Sequence, residues 1–297
     1  MRIALVTAIA AYSLDEDLQP LQQALHAAGI EAQVLAWDDD TVSWSRFDLA
    51  LLRSPWDYTN RLEEFLAWAA RTSTQTRLLN PLDVIVHNTD KHYLGQLAAQ
   101  GLRVVPSRYI EPGERAADKL DAFLAEFVDA AEFVAKPCVG AGSRDAQRYA
   151  RAQSLAARAH VERLQAQGRS VLLQPYLASV DSAGESALVF FDGQFSHAIR
   201  KGPLLQRDSG PTRALFAPEK ITARTPGADE LALARAVLAA MPGPALAYAR
   251  VDLIRAADGA PCLLELELTE PSLFFRYSDG AAERFVAVLA RRLGVAA

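Results

Sequence analysis

Four ionisable residues near the end of the chain, Arg250, Asp252, Glu265 and Glu267, are spaced so that they can share one surface. They lie in the run Arg250-Val-Asp252-Leu-Ile-Arg-Ala-Ala-Asp258-Gly259-Ala-Pro-Cys-Leu-Leu-Glu265-Leu-Glu267. Asp-Gly between two apolar stretches signals a two-residue hairpin turn. With Ala257 paired to Ala260, antiparallel register sets Asp252 opposite Glu265 and Arg250 opposite Glu267. Strand side chains alternate faces, so the four charged groups fall on one face. Val251, Leu253, Leu264, Leu266 and Leu268 fall on the other, as core. Three carboxylates this close repel unless positive charge sits among them. Arg250 offsets one, and the rest suggest bound Mg²⁺, a hard cation that takes oxygen ligands. The plainer alternative is a solvated polar face, and a longer turn would shift the register.

A second cluster handles phosphate chemistry. Lys136-Pro-Cys-Val-Gly140-Ala-Gly142-Ser143 follows the apolar run Phe133-Val-Ala135. Glycines let the backbone approach a phosphate, and successive N–H groups can cradle it. No Gly-Lys-Ser/Thr follows, so this is not a Walker A loop. No third glycine follows either, which excludes the dinucleotide fingerprint. Lys136 at a strand end and Lys91 at a helix start could both meet a phosphate; a tight turn and two surface lysines are the alternative. The five histidines (His26, His87, His92, His160, His197) show no metal-ligand spacing, so zinc chemistry is not expected. No His lies near Cys138 in sequence to activate its thiol. Among the histidines only His197, close to Arg200 and Lys201, has charged company. Trp37, Trp44, Trp56 and Trp68 read as packing residues.

These groups need elements to position them. The chain has 297 residues, a net charge of −5 and 51% hydrophobic residues, which suits about two globular domains at roughly 150 residues each. No apolar run nears the roughly 20 residues of a membrane span, and the first residues show no signal-peptide pattern. Two cysteines make no disulfide framework, so a reducing cytoplasm is the default. The acidic balance argues against nucleic acid as a partner.

Strands are expected at Arg2–Thr7, Ala32–Trp37, Asp48–Arg53 and, briefly, Arg77–Asn80. A helix carrying Leu18, Leu21 and Leu25 follows a Ser13/Glu16 capping box and stops at Gly29, and another runs from Leu62 to Arg71. Strands alternating with helices make a small parallel sheet. From Asn88 the pattern changes: helices Lys91–Gln100, Asp118–Val128 and Ser154–Gly168 flank strands Phe133–Pro137 and Val171–Leu177. The tail reads as antiparallel strands Ser186–Phe191, Phe195–Lys201, Ala247–Arg255 and Cys262–Leu268, with helices Asp229–Ala240 and Ala281–Leu293 packed on them. Polar Pro203–Pro226, with its Gly210-Pro211, reads as a mobile loop.

Asp90-Lys91, Phe133-Val-Ala-Lys136-Pro137 with its Gly-rich loop, Gln174-Pro-Tyr-Leu177, Gly184-Glu185, Arg250-Val-Asp252 and Glu265-Leu-Glu267-Leu-Thr-Glu-Pro271-Ser272 together resemble, in order and spacing, the ATP-grasp superfamily across nearly the whole chain. The resemblance implies an α/β fold, α+β in part. It consists of a small parallel α/β N-terminal domain (1–87), followed by two α+β subdomains (88–178 and 179–297) that sandwich ATP. It implies that Lys91 and Lys136 contact the phosphates and that the loop with Gly140, Gly142 and Ser143 closes over them. Gln174, Tyr176 and Leu177 belong to the hinge that reads adenine, and Glu185 holds the ribose. Asp252, Glu265 and Glu267 ligate Mg²⁺, Arg250 steadies an acyl phosphate, and Lys201 is a nearby cation, as is Arg200. Glutathione-synthetase relatives usually carry Asn at the position of Glu267, and often a basic residue where Ala187 stands, which argues against a glutathione-type substrate.

Leu52-Arg53-Ser54-Pro55-Trp56-Asp57-Tyr58 and Glu270-Pro-Ser-Leu-Phe-Phe275 look like a bacterial branch that includes an O-ureido-serine cyclo-ligase. That branch implies ATP-dependent activation of a carboxylate and ring closure by a nitrogen of the same amino-acid-like small molecule. Arg53, Ser54, Asp57 and Ser272 are then the expected substrate residues, with Pro203–Pro226 as a lid. The alternatives are an intermolecular amino-acid or peptide ligase, a nucleotide-binding module without turnover, and a metal-dependent hydrolase. No membrane partner is expected. A homodimer suits the class, although no segment marks an interface.

Overall fold

Short apolar runs bounded by turn residues build the first layer of the computed structural model, which describes residues 1–205, 220–241 and 246–294. Strands β1 (Arg2–Thr7), β2 (Glu31–Ala36), β3 (Leu49–Ser54) and β4 (Arg77–Leu79) form a parallel sheet in the order β2-β1-β3-β4. Helices α1 (Leu18–Ala27) and α2 (Leu62–Ser73) connect them. Every residue of β3 is buried, as in a parallel strand covered on both faces. The expected Ser13/Glu16 capping box does not form. Asp17 occupies the N-cap position of α1 without capping it, because its carboxylate is engaged elsewhere.

The second layer is antiparallel. Helices α3 (Leu82–Asn88), which the sequence reading missed, and α4 (Tyr93–Ala99) lead into it. Strands β5 (Arg108–Ile110), β6 (Glu132–Pro137), β7 (Gln147–Ala150) and β8 (Val171–Pro175) pair in the order β5-β8-β6-β7. Helices α5 (Ala116–Glu126) and α6 (Ser154–Gln165) cover them through Leu120, Phe123, Val161 and Leu164. The short α7 (Ser179–Ala183) follows.

The third layer is a five-stranded antiparallel sheet, β11-β10-β9-β12-β13. Its strands are β9 (Glu185–Phe191), β10 (Gln194–Lys201), β11 (Ile221–Arg224), β12 (Tyr248–Arg255) and β13 (Pro261–Glu267), with helices α8 (Ala228–Ala239) and α9 (Ala281–Leu293). The expected loop Pro203–Pro226 is therefore partly a strand, since β11 pairs with Ala198–Lys201. Most of the rest of that stretch, 206–219, falls outside the described residues, and so does the lid assigned to it. Helix α9 ties first layer to last: Phe285 and Leu289 share one core with Ile3 and Leu5 of the parallel sheet, with Leu21 of α1 and with Val189 and Tyr248 of the third sheet.

The β12–β13 hairpin corrects the turn while keeping the register of the charged residues. Its loop has three residues, Ala257 to Gly259, with Ala256 N–H donating to Ala260 O at 2.9 Å and Gly259 at φ +80°. That alone would slip the strands by one residue. A bulge between Asp252 and Leu253 leaves Leu264 unpaired and restores Arg250 opposite Glu267 and Asp252 opposite Glu265. Leu264, expected in the core, consequently turns half-buried toward the cavity.

Past β13 the chain is held by the first layer. Asp17 accepts the backbone N–H groups of Leu273, Phe274 and Phe275 at 2.6, 3.0 and 3.0 Å. Fully buried Arg53 donates from Nη2 to Pro271 O at 3.0 Å and lies 3.7 Å from Asp17. Replacing Asp17 by Ala orphans three buried donors and takes from buried Arg53 its nearest carboxylate, leaving only the charge of Asp15 nearby. A loss of about 3 kcal/mol or more in urea unfolding is expected. Glu16→Ala, which removes only an exposed partner of Arg276, should leave the unfolding midpoint in place.

Candidate functional site

The cavity lies between the second and third sheets, and its polar end is organised by one buried ion network. Asp252 on β12 receives Arg250 Nε on Oδ1 at 2.8 Å, and Arg250 Nη2 and Lys201 Nζ on Oδ2 at 3.0 and 2.6 Å. Lys201 also lies 3.2 Å from Glu185. Arg250 further pairs with Glu267, donates from Nη1 to Ser272 O at 3.1 Å, and stacks 5.3 Å over the Phe274 ring. Strand alternation puts Lys201 on this face and sends Arg200 to the carbonyls of Ser182 and Ala183. Arg200 is therefore not one of the site's cations.

The charges explain the protonation pattern. Burial pushes the Asp252 carboxyl up, but Arg250 and Lys201 together hold it down at about 2. Burial pushes Glu267 up to about 8, with Asp252 and Glu265 adding to the rise and Arg250 only partly opposing it. Glu265 stays below its ordinary range: burial raises it, but Lys91 at 3.0 Å and Lys136 outweigh that. Lys136 is pushed down, chiefly by burial and by its neighbours Lys91 and Lys201. It has no ion pair among the described residues. A desolvated lysine beside two others is poised for an anion.

Lys91 also donates to Gly140 O at 2.6 Å and so pins the Gly-rich loop. Gly142 and Ser143 adopt φ +60° and +58° there. Gln174, Tyr176 and Leu177 line the other end with Val105, Val134 and Ile254, an apolar slot. Tyr176 is fixed by its hydroxyl on Asp181 at 2.6 Å and by Arg148 over its ring at 3.6 Å.

Of the residues expected at the substrate, Ser272 lines the cavity and Arg53, Ser54 and Asp57 do not. Arg53 serves the clamp on Pro271. Ser54 bonds Thr7 at 2.9 Å, and Asp57 accepts from Trp37 Nε1 at 2.8 Å and pairs with Arg61. The same segment contributes Trp56 and Tyr58 instead, and Tyr58 donates to Glu270 Oε1 at 2.7 Å. Glu270, Asn88, Phe274 and Leu264 also line the site without having been anticipated. Glu270 had a signal: it is a further acid in the Glu265–Pro271 run.

The oxygen-only donor set of Asp252, Glu265 and Glu267 fits a hard divalent cation. Their oxygens do not yet converge, because Lys91 draws Glu265 to one side while Arg250 and Lys201 hold the others. Among the described residues, only Asp90, His92 and Cys138 bring three ligand atoms within 4.8 Å of one another. The fold thus places a His beside Cys138 that sequence distance concealed. His92, however, bridges Asp90 at 2.6 Å and Glu111 at 2.9 Å; burial pushes its imidazole down, but the two carboxylates outweigh that and raise it. Burial pushes the Cys138 thiol far up, so it is no thiolate. No described helix is long and apolar enough to cross a membrane.

Residues 3–80 match the family described as D-cycloserine synthetase DcsG, N-terminal domain. The chain is 44% identical over 296 residues to the cycloserine biosynthesis protein DcsG of Streptomyces lavendulae, covering 98% of each. It superposes on the crystal structure of D-cycloserine synthetase DcsG with a TM-score of 0.93, covering 99% of this chain and 100% of that one at 44% identity. Two more distant proteins share the fold. The ATP-grasp ligase PsnB, complexed with a phosphomimetic variant of its minimal precursor, Mg and ADP, gives a TM-score of 0.63 at 19% identity, covering 97% and 98%. A D-alanine–D-alanine ligase from Bacillus anthracis gives 0.65 at 14%, covering 99% and 97%.

Burial pushes Glu270 up to about 7, against the opposing pull of Tyr58, Lys91 and Arg250. Its unfolded value is about 4.3, so folding takes up a proton between these limits. Stability from this group is complete below the unfolded value and is lost as pH rises through about 7. Glu270→Gln keeps an acceptor for Tyr58 and cannot titrate. The unfolding free energy of the variant minus that of wild type should therefore rise by about 3 kcal/mol from pH ~4.5 to pH ~8. A flat difference would show that Glu270 is not held as described.

Proposed function

The chain belongs to the D-cycloserine synthetase family of ATP-grasp enzymes, and on that premise we propose that it closes the ring of D-cycloserine from O-ureido-D-serine, using ATP and Mg²⁺. The ATP-grasp fold and the ligase class follow from the family; the substrate, the residue roles and a cytoplasmic location are part of the proposal. The observation that carries it is the meeting, in one cavity, of three lysines suited to phosphates with an acidic wall organised around Arg250.

Residues 88–178 and 179–297 hold the nucleotide between them, with 1–87 closing the substrate end. Lys91 and Lys136 face the phosphates under the Gly140–Ser143 loop. Gln174, Tyr176 and Leu177 flank the adenine, and Glu185 takes the ribose. Asp252, Glu265 and Glu267 hold Mg²⁺, which when bound supplies neutralisation of the phosphate charge. Arg250 orients the substrate carboxylate as it attacks the γ-phosphorus, and then steadies the acyl phosphate; positioning and charge do most of the work. The ureido nitrogen bonded to oxygen attacks the acyl carbon of the same molecule, a C–N bond forms and phosphate leaves. Hydrolysis of the carbamoyl group releases carbon dioxide and ammonia. Water must stay out until the ring has closed, since it would hydrolyse the acyl phosphate.

Purified protein with ATP, Mg²⁺ and O-ureido-D-serine should release ADP in step with a product of D-cycloserine's mass, and EDTA should stop both. ADP release only with a second amine present, giving an open-chain amide, would make the protein an intermolecular ligase. No ADP with any amino acid would leave it a nucleotide-binding module.

A further inference from the structure

Four carboxylates line the cavity: Glu185, Glu265, Glu267 and Glu270. Three have a cation in contact, namely Lys201 on Glu185, Lys91 on Glu265 and Arg250 on Glu267. Glu270 has none. Its partner is a neutral phenol, Tyr58, on Oε1; among the described residues none donates to Oε2, and no lysine, arginine or histidine forms an ion pair with it. The residue is nonetheless only 8% exposed. A buried carboxylate with no cation in contact is costly unless a ligand brings one.

We propose that Glu270, oriented by Tyr58 and flanked by Trp56, is the anchor for the α-ammonium group of an amino-acid substrate. This rests on the reading of the site as one for a small amino acid. The arrangement is bipolar in the sense such a substrate requires. Arg250, through its guanidinium, offers positive charge for the carboxylate. Glu270, five residues past Glu265 on the wall that holds the metal ligands, offers negative charge for the amine. Trp56 donates from Nε1 to the Glu270 carbonyl at 3.1 Å, so its ring is fixed in the same wall, where an aromatic face favours a cation. Tyr58 leaves the second carboxylate oxygen free to accept from the ligand. Burial pushes the Glu270 carboxyl up further than Tyr58, Lys91 and Arg250 pull it down, since neither cation touches it, and an arriving ammonium would lower it.

The test is calorimetric titration at about pH 8, where both partners are ionised, with Mg²⁺ and a non-hydrolysable ATP analogue present. O-ureido-D-serine is compared with 3-(ureidooxy)propanoate, the same molecule without the α-amine. Wild type should bind the amine-bearing ligand about ten- to hundredfold more tightly. Glu270→Gln should lose that discrimination, with little change in affinity for the amine-free ligand, and Glu270→Ala should lose it too. Tyr58→Phe, which keeps the charge, should retain a clear preference. Discrimination surviving in both Glu270 variants would overturn the proposal. So would a wild type that binds the two ligands alike or binds neither. Ring formation is followed separately by product mass: a wild type that discriminates but makes no cycloserine refutes the cyclo-ligase reading and leaves the ammonium anchor standing.

Discussion

The Arg250–Asp252 ion pair is the interaction around which the rest of the structure is arranged. Asp252 is almost fully buried, and a carboxylate there stays ionised only because Arg250 and Lys201 both reach it. Removing one partner of such a pair leaves an uncompensated charge, at a cost of about 3–5 kcal/mol. Two strands of one sheet therefore have to present these side chains together. Strand β10 supplies Lys201, and β12 supplies Arg250 and Asp252 two residues apart on one face. Glu267 from β13 and the Ser272 carbonyl complete the shell around the guanidinium.

That shell explains why distant parts of the chain converge on residues 270–275. The segment carries the Ser272 carbonyl and the Phe274 ring that hold Arg250, and it has no strand or helix of its own to fix it beyond a short turn at Phe275–Tyr277. The parallel sheet does so instead. Asp17, at the start of α1, collects three of its amides, and Arg53, at the end of β3, reaches the Pro271 carbonyl. Trp56 and Tyr58, just beyond β3, take hold of Glu270. The first layer thus shapes its end of the cavity chiefly by gripping the wall rather than by lending polar groups.

Much of this could be read from the residues. The charged face of β12 and β13 follows from period-two alternation, and the family resemblance follows from motifs that are local in sequence. The hairpin shows where such reading is fragile. A three-residue loop and a bulge at Leu264 are two departures that cancel at Asp252 and Glu265, and neither has a signal stronger than Asp-Gly itself. The Arg53–Tyr58 segment shows another limit. The family resemblance predicts that this loop reaches the site, and it does line the cavity, but which side chains face inward depends on tertiary partners such as Thr7, Trp37 and Asp17, which no local pattern names. Arg53 and Asp57 are conspicuous in sequence because they are charged; they serve packing, and the aromatic residues beside them reach the cavity. Contacts such as His92 with Cys138, 46 positions apart, lie beyond local patterns altogether.

The central claim is that this ion network exists to activate a carboxylate as an acyl phosphate. Transfer of oxygen from substrate to phosphate tests that claim most directly. With O-ureido-D-serine labelled with oxygen-18 in both carboxylate positions, one labelled oxygen should appear in the inorganic phosphate released and the other in the carbonyl of the ring product. Phosphate free of label, with both labelled oxygens left elsewhere, would mean that the carboxylate never bonds to phosphorus, and would contradict the account.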